Sequence, residues 1–211
     1  MLSSTNRTLK GGNKMRKELL IIVVGSSGAG KSVFIDAAVQ EDHRYVTSQP
    51  MIEELRKRGV EVNHDTIFAL SQEWYGKDPY WQVPFILKAL EGKRFLIVDG
   101  SRRAPEVGRL EEMRRIIVVR IVSNAEDRFA WLAKRKKIGL STIEEFKRLE
   151  NDENKIMDVE KLAKMADITV TNKFSETRHQ KRGKHFGCIL KLLPVFLPRP
   201  LMIFLLRISV L

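Results

Sequence analysis

Cysteine is almost absent from this 211-residue chain, and the one present, Cys188, rules out an internal disulfide framework, so a reducing, cytoplasmic setting is expected. No run of about 18 consecutive apolar residues occurs, which excludes a simple membrane-spanning helix. No basic stretch followed by an apolar core and a small-residue cleavage site opens the chain, so secretion is not expected. Acidic residues are also scarce, 26 against 38 Lys and Arg, for a net charge of +12. The shortage lies at the ends: residues 1–18 carry +4 and residues 173–211 carry +7, leaving +1 for residues 19–172. A core that is nearly neutral does not support a basic groove for nucleic acid, and any such partner would have to be met by the ends.

What is present centres on Leu19 to Asp36, LLIIVVGSSGAGKSVFID. An apolar strand, Leu20 to Val24, runs into Gly25-Ser26-Ser27-Gly28-Ala29-Gly30-Lys31-Ser32, then Val33 and a helical segment. This fits the phosphate-loop pattern G-x-x-x-x-G-K-[ST] at every constrained position. In that pattern the loop's backbone N–H groups face phosphate oxygens and the helix N-terminus adds its dipole. Lys31 reaches the outer phosphates of a nucleoside triphosphate and the Ser32 hydroxyl sits on Mg²⁺, so ATP and Mg²⁺ are the expected cofactors. The competing reading is a glycine-rich turn with no ligand.

A second strand, Phe95 to Val98, ends in Asp99-Gly100. Its carboxylate suits a place beside the Mg²⁺ shell; otherwise Asp99 is an N-cap. Hydrolytic ATPases of the motor and recombinase types place Glu in the next position to activate water. Gly100 supplies no such base, which favours transfer to an acceptor over hydrolysis. Arg102 and Arg103 follow at the expected carboxyl edge of the sheet, suited to an anionic second substrate or else to a solvated loop. Ile116 to Val122 reads as a strand buried on both faces, and Tyr45 to Thr47 and Asp167 to Asn172 as two shorter strands.

Helices are expected over Ser32–Gln40, Met51–Lys57, His64–Tyr75, Tyr80–Leu90 and Val159–Met165. From Asn124 to Lys155 the chain is helical and charged, with Arg128 and Arg135 two turns apart on one face and Gly139 placed as a hinge. It reads as a lid closing over the transferred phosphate, or as a plain surface helix pair. Parallel strands alternating with helices give an α/β fold, a three-layer α/β/α sandwich on a mainly parallel five-stranded sheet.

The ends are less regular. Residues 1–18 read as a disordered leader, with Met15 the expected start of the working chain or the leader dispensable. Residues 173–187 read as basic and unstructured. Cys188 to Leu211 is apolar but broken by Pro194, Pro198 and Pro200, leaving three readings: a membrane-surface element, a segment packed on the core, or a terminus of non-native origin such as a shifted reading frame. His179, His185 and Cys188 match no recognised metal-site spacing. A guanine-reading switch is excluded because Asn172-Lys173-Phe174-Ser175 lacks the Asp of N-K-x-D.

Over Leu19 to Asn172 the chain resembles the nucleoside-monophosphate-kinase-like branch of phosphate-loop kinases, in particular archaeal-type dephospho-coenzyme A kinase and adenylate kinase-like proteins. The resemblance rests on GSSGAGKS, RKRG (Arg56 to Gly59), LIVDGSRRAPEV (Leu96 to Val107), RFAWLAKR (Arg128 to Arg135) and ADITVTN (Ala166 to Asn172). It implies a phosphate-loop NTPase fold, with a kinase domain over residues 19–172 and a lid over about 124–155. It implies an ATP-dependent phosphotransferase in which Lys31, Arg102, Arg128 and Arg135 neutralise phosphates while Ser32 and Asp99 place Mg²⁺. The acceptor would be nucleotide-like, a nucleoside monophosphate or dephospho-coenzyme A, and the protein a monomer or small homo-oligomer. Gln49 stands where relatives carry an acceptor-orienting Asp, and Leu149-Glu150 where they carry Arg-Asp. These departures leave open a second class, a non-catalytic ATP-binding regulatory module.

Overall fold

The computed structural model describes residues 18–101, 103–134, 142–156, 158–173, 176–192, 198–208 and 210. The leader, Arg102, Arg135 and the Gly139 hinge therefore lie outside the described residues. Five strands, β1 (Leu19–Val24), β2 (Arg44–Val46), β3 (Phe95–Asp99), β4 (Arg115–Val122) and β5 (Ile168–Thr171), form one sheet in the order β2-β3-β1-β4-β5. Every pairing is parallel. Parallel neighbours need crossovers, and helices supply them on both faces.

Successive side chains of a strand point to opposite faces, and both faces here are apolar, which is why β1, β3 and β4 read as unbroken apolar runs. On one face Leu19, Ile21 and Val23 join Ile97, Val119 and Ile121 under α1 (Lys31–Ala38). On the other, Leu20, Ile22 and Val24 join Leu96, Val98 and Val118 under α4 (Val83–Leu90), α5 (Ala104–Met113) and α8 (Val159–Lys164). The result is the three-layer α/β/α sandwich. Beyond the carboxyl edge of β2 and β3, α2 (Gln49–Lys57) and α3 (His64–Lys77) build a smaller core with Met51, Leu55, Leu70 and Trp81. There the Trp74 and Trp81 rings meet edge-on at 4.5 Å. The charged segment after β4 forms α6 (Ala125–Lys134) and α7 (Ile143–Ile156), joined by Phe129 against Phe146.

Three expectations change. Residues 104–113, unassigned from sequence, form α5; Pro105 stands in its first turn, where no backbone N–H is required. The helix expected from Tyr80 begins only at Val83, after a turn. The largest change is in the tail. The unstructured reading of residues 173–187 gives way to α9 (Glu176–Leu192), followed by α10 (Arg199–Ile208).

Phe186 and Leu190 of α9 and Met202 and Leu206 of α10 are buried in the same core face as α1. Pro200 is the second residue of α10, so it marks a helix start. Arg199 pairs with Glu111 and Asp167, and Arg207 donates to the Asp167 carbonyl at 2.6 Å, which places basic tail residues against core partners. The pattern was hard to read because α9 holds two glycines among many cations. Both are explained by packing: a Cβ on Gly183 would lie 2.4 Å from the Phe34 carbonyl oxygen, and one on Gly187 only 1.9 Å from that of Ala38. Two bare positions one turn apart let the α9 backbone lie directly on α1.

Gly187→Ala is accordingly expected to lower stability by about 1–3 kcal/mol through overpacking, measured by chemical denaturation. Gly108→Ala in α5, where a Cβ meets nothing within 4 Å, should raise it by about 0.5–1 kcal/mol. A neutral Gly187→Ala would show that α9 does not sit on α1 this closely.

Candidate nucleotide site

The loop from Gly25 to Ser32 leaves β1 and returns as α1. Gly28 and Gly30 hold φ of 76° and 96°, a left-handed backbone that side chains disfavour. Gly30 is the N-cap of α1, and no side chain caps the helix nor does an acid stand in its first turn. Its first N–H groups are thus left for an anion. Behind the loop, Asn172 Nδ2 donates to the Ala29 carbonyl at 3.0 Å, and His179 Nε2 donates to the Gly30 carbonyl, also at 3.0 Å. Burial holds the His179 pKa below the ordinary imidazole range, so the ring is neutral with its proton on Nε2.

Of the positive charges assigned to phosphate, the two among the described residues, Lys31 and Arg128, are already engaged within the protein. Lys31 Nζ donates to the carbonyls of Gly25 (2.7 Å) and Ser26 (3.0 Å). Arg128, almost wholly buried, donates to the Ser27 carbonyl at 3.3 Å and makes a two-pronged pair with Glu150 of α7. Its guanidinium also lies over the Phe146 ring at 5.3 Å. The first helix of the expected lid is therefore seated on the phosphate loop, with Leu132 against Gly28. Glu150, the second residue of the Leu149-Glu150 departure, is the carboxylate that pairs with Arg128.

Asp99 does not cap a helix, since Arg103 is the N-cap of α5. Its carboxylate is engaged by Arg44 of β2, which also binds Asp36 of α1. Asp99 lies opposite Val23 of β1, close to where the loop begins. A buried carboxylate that already holds a cation, linked through Arg44 to the helix whose second residue is Ser32, is with that serine a donor set that suits Mg²⁺ completed by phosphate oxygens and water. A cleft of about 610 Å³ opens beside Ser27, Gly28, Lys31 and Ser32 and is bounded by Trp131 of α6 and Lys184 of α9.

Toward the expected acceptor side, Arg103 stacks over the Tyr75 ring at 4.7 Å and donates to Gln72. Tyr75 in turn donates to Glu106 at 2.9 Å. Burial raises the Glu106 pKa to about 7 although the tyrosine hydrogen bond opposes it, and burial beside Glu106 raises that of Tyr75. Gln49 is the first residue of α2 and bonds Glu53 on the surface. Among the described residues no three His, Cys, Asp or Glu cluster to hold a metal, and no helix is long and apolar enough to cross a membrane.

Loop, cleft and sheet order together define a phosphate-loop α/β protein. No family model matches the chain. It is 29% identical over 135 residues to a UPF0200 protein of Hyperthermus butylicus, a match covering 62% of this chain and 73% of that protein. Among solved structures it is similar to shikimate kinase from Acinetobacter baumannii in complex with shikimate, with TM-score 0.48 and 20% identity over 84% of this chain and 93% of that one. A gluconokinase from Sinorhizobium meliloti 1021 gives TM-score 0.46 and 13% identity over 84% and 98%.

Sequence reasoning missed Arg44, Asp36, Glu150, His179 and Trp131 as parts of the site. Trp131 carried a signal inside RFAWLAKR and Glu150 one in the Leu149-Glu150 departure; the rest become neighbours through tertiary pairing. The buried Glu106 makes a checkable statement about stability. The unfolded carboxyl ionises near pH 4.5 and the folded one only near 7, so stability is fully present below pH 4.5 and falls as pH rises between these values. The loss amounts to at most about 3 kcal/mol. Urea denaturation across this range should show Glu106→Gln flattening the decline.

Proposed function

We propose that the chain is an ATP-dependent phosphotransferase, a kinase acting on a small nucleotide-like acceptor. The observation that carries the reading is the uncapped N-terminus of α1 behind the glycine loop, with Lys31 and the buried Arg128 both bonded to that loop's own carbonyls. These groups are positioned where a phosphate chain would replace the carbonyls as their acceptor. The donor's phosphates lie along Gly25–Val33, and its nucleoside half occupies the cleft that Trp131 and Gln180 line. Ser32 and Asp99 would hold Mg²⁺, which would supply positive charge to the phosphate oxygens.

The chain's own residues then orient and neutralise. Lys31 and Arg128 exchange internal partners for phosphate oxygens, and Arg135, which follows α6 in the sequence, adds a further positive charge. Arg102 and Arg103 hold the acceptor, a nucleoside monophosphate or dephospho-coenzyme A, at the carboxyl edge of β3. Gly100 offers no base to water at that edge, which supports transfer over hydrolysis.

The test is label transfer from γ-labelled ATP to a panel of nucleoside monophosphates and dephospho-coenzyme A. One acceptor should become labelled, and Lys31→Ala should lower that rate roughly a hundredfold or more. Arg103→Ala should raise the acceptor KM more than it lowers kcat. Nucleotide binding with no labelled product across the panel would instead indicate a non-catalytic ATP-binding module.

A further inference from the structure

Arg44 opens β2 at the sheet edge, where Arg44 lies opposite Ile97 and Val46 opposite Asp99. Residues opposite one another in a parallel pair share a face, and Ile97 belongs to the face covered by α1. The Arg44 side chain therefore runs along that face, past a two-residue rise of about 6.6 Å, to reach Asp99 at the carboxyl edge. One nitrogen, Nη2, binds the Asp99 carboxylate, and Nη1 binds that of Asp36. Asp36 stands one helical turn beyond Ser32 on α1. The guanidinium thus bridges the strand and the helix that carry the two proposed magnesium residues.

The Asp99 side chain is 9% exposed and that of Arg44 21%. In a pair this far removed from water the partner of the carboxylate is surrendered only for another cation. We infer that Arg44 is the resident counter-ion of this site: its fork holds the Asp99 carboxylate in place, and divalent metal must displace it from Asp99. Asp36 retains the other half of the fork. Arg44 is a positioning residue that acts through Asp99, and it makes metal binding a competition between two cations for one carboxylate. Free metal then binds weakly, and metal binds well only when nucleotide phosphates supply further oxygens. The inference rests on the reading of Ser32 and Asp99 as the magnesium residues.

The test is calorimetric titration of the full chain with Mg²⁺, with and without saturating ADP, in wild type, Arg44→Gln, Arg44→Lys and Asp99→Asn. Removing the competitor should tighten Mg²⁺ binding about tenfold in Arg44→Gln, the scale of one charge-assisted hydrogen bond. Arg44→Lys, a point charge without the fork, should tighten it less, and Asp99→Asn should abolish it. A purely structural arginine would give the opposite sign, because its loss would weaken every ligand. Unchanged or weakened Mg²⁺ affinity in the folded Arg44 variants overturns the inference. Should Arg44→Gln not fold, Arg44→Lys decides by the same sign. ADP affinity in EDTA separates the two levels. Wild type that binds ADP, with Arg44 variants that do not tighten Mg²⁺, defeats the counter-ion alone. Wild type that binds ADP neither with nor without Mg²⁺ defeats the nucleotide reading beneath it.

Discussion

The site depends on two hydrogen bonds made behind the glycine loop. Asn172 and His179 take the carbonyls of Ala29 and Gly30 from outside the loop. In a trans peptide the N–H points opposite to the carbonyl, so fixing those two oxygens outward turns the N–H groups of Gly30 and Lys31 inward. A loop rich in glycine has many conformations, and this clamp selects one before a ligand arrives. The clamp also explains why the tail belongs to the fold. His179 sits on α9, and α9 reaches the loop only because Gly183 and Gly187 let it lie on α1.

A second constraint follows from assembling charge without a ligand. Lys31 rests on loop carbonyls, Arg128 on Glu150 and Arg44 on Asp99 and Asp36. Buried cations without partners would destabilise the fold by several kcal/mol each, so each has an internal anion or dipole. Ligand affinity at such a site is a difference between new bonds and those surrendered. For Arg128 the bonds surrendered would be the two-pronged pair with Glu150 and the bond to the Ser27 carbonyl.

The sheet was legible because strands buried on both faces leave continuous apolar runs, LLIIVV and FLIV among them. The phosphate loop was legible because its backbone demands fix residue types at fixed spacing. The rest was hidden for physical reasons. Arg128 and the loop carbonyl it bonds are 101 positions apart, and His179 and Gly30 are 149 apart. Nothing local marks such pairs. The glycines of α9 lower its intrinsic helix propensity by about 1 kcal/mol each, so a segment that is helical through packing reads as loop. Arg44 and Asp36 looked like ordinary surface charges because the carboxylate they share space with lies far along the chain.

The most direct measurement is hydrogen–deuterium exchange of the full chain with and without Mg·ADP, followed at the amides of Gly28 to Ser32. A backbone cradle requires those amides to slow strongly on nucleotide binding, more than the amides of α5 on the opposite layer. Exchange unchanged at Gly28 to Ser32 under saturating nucleotide would contradict the account, because the loop would then hold no phosphate.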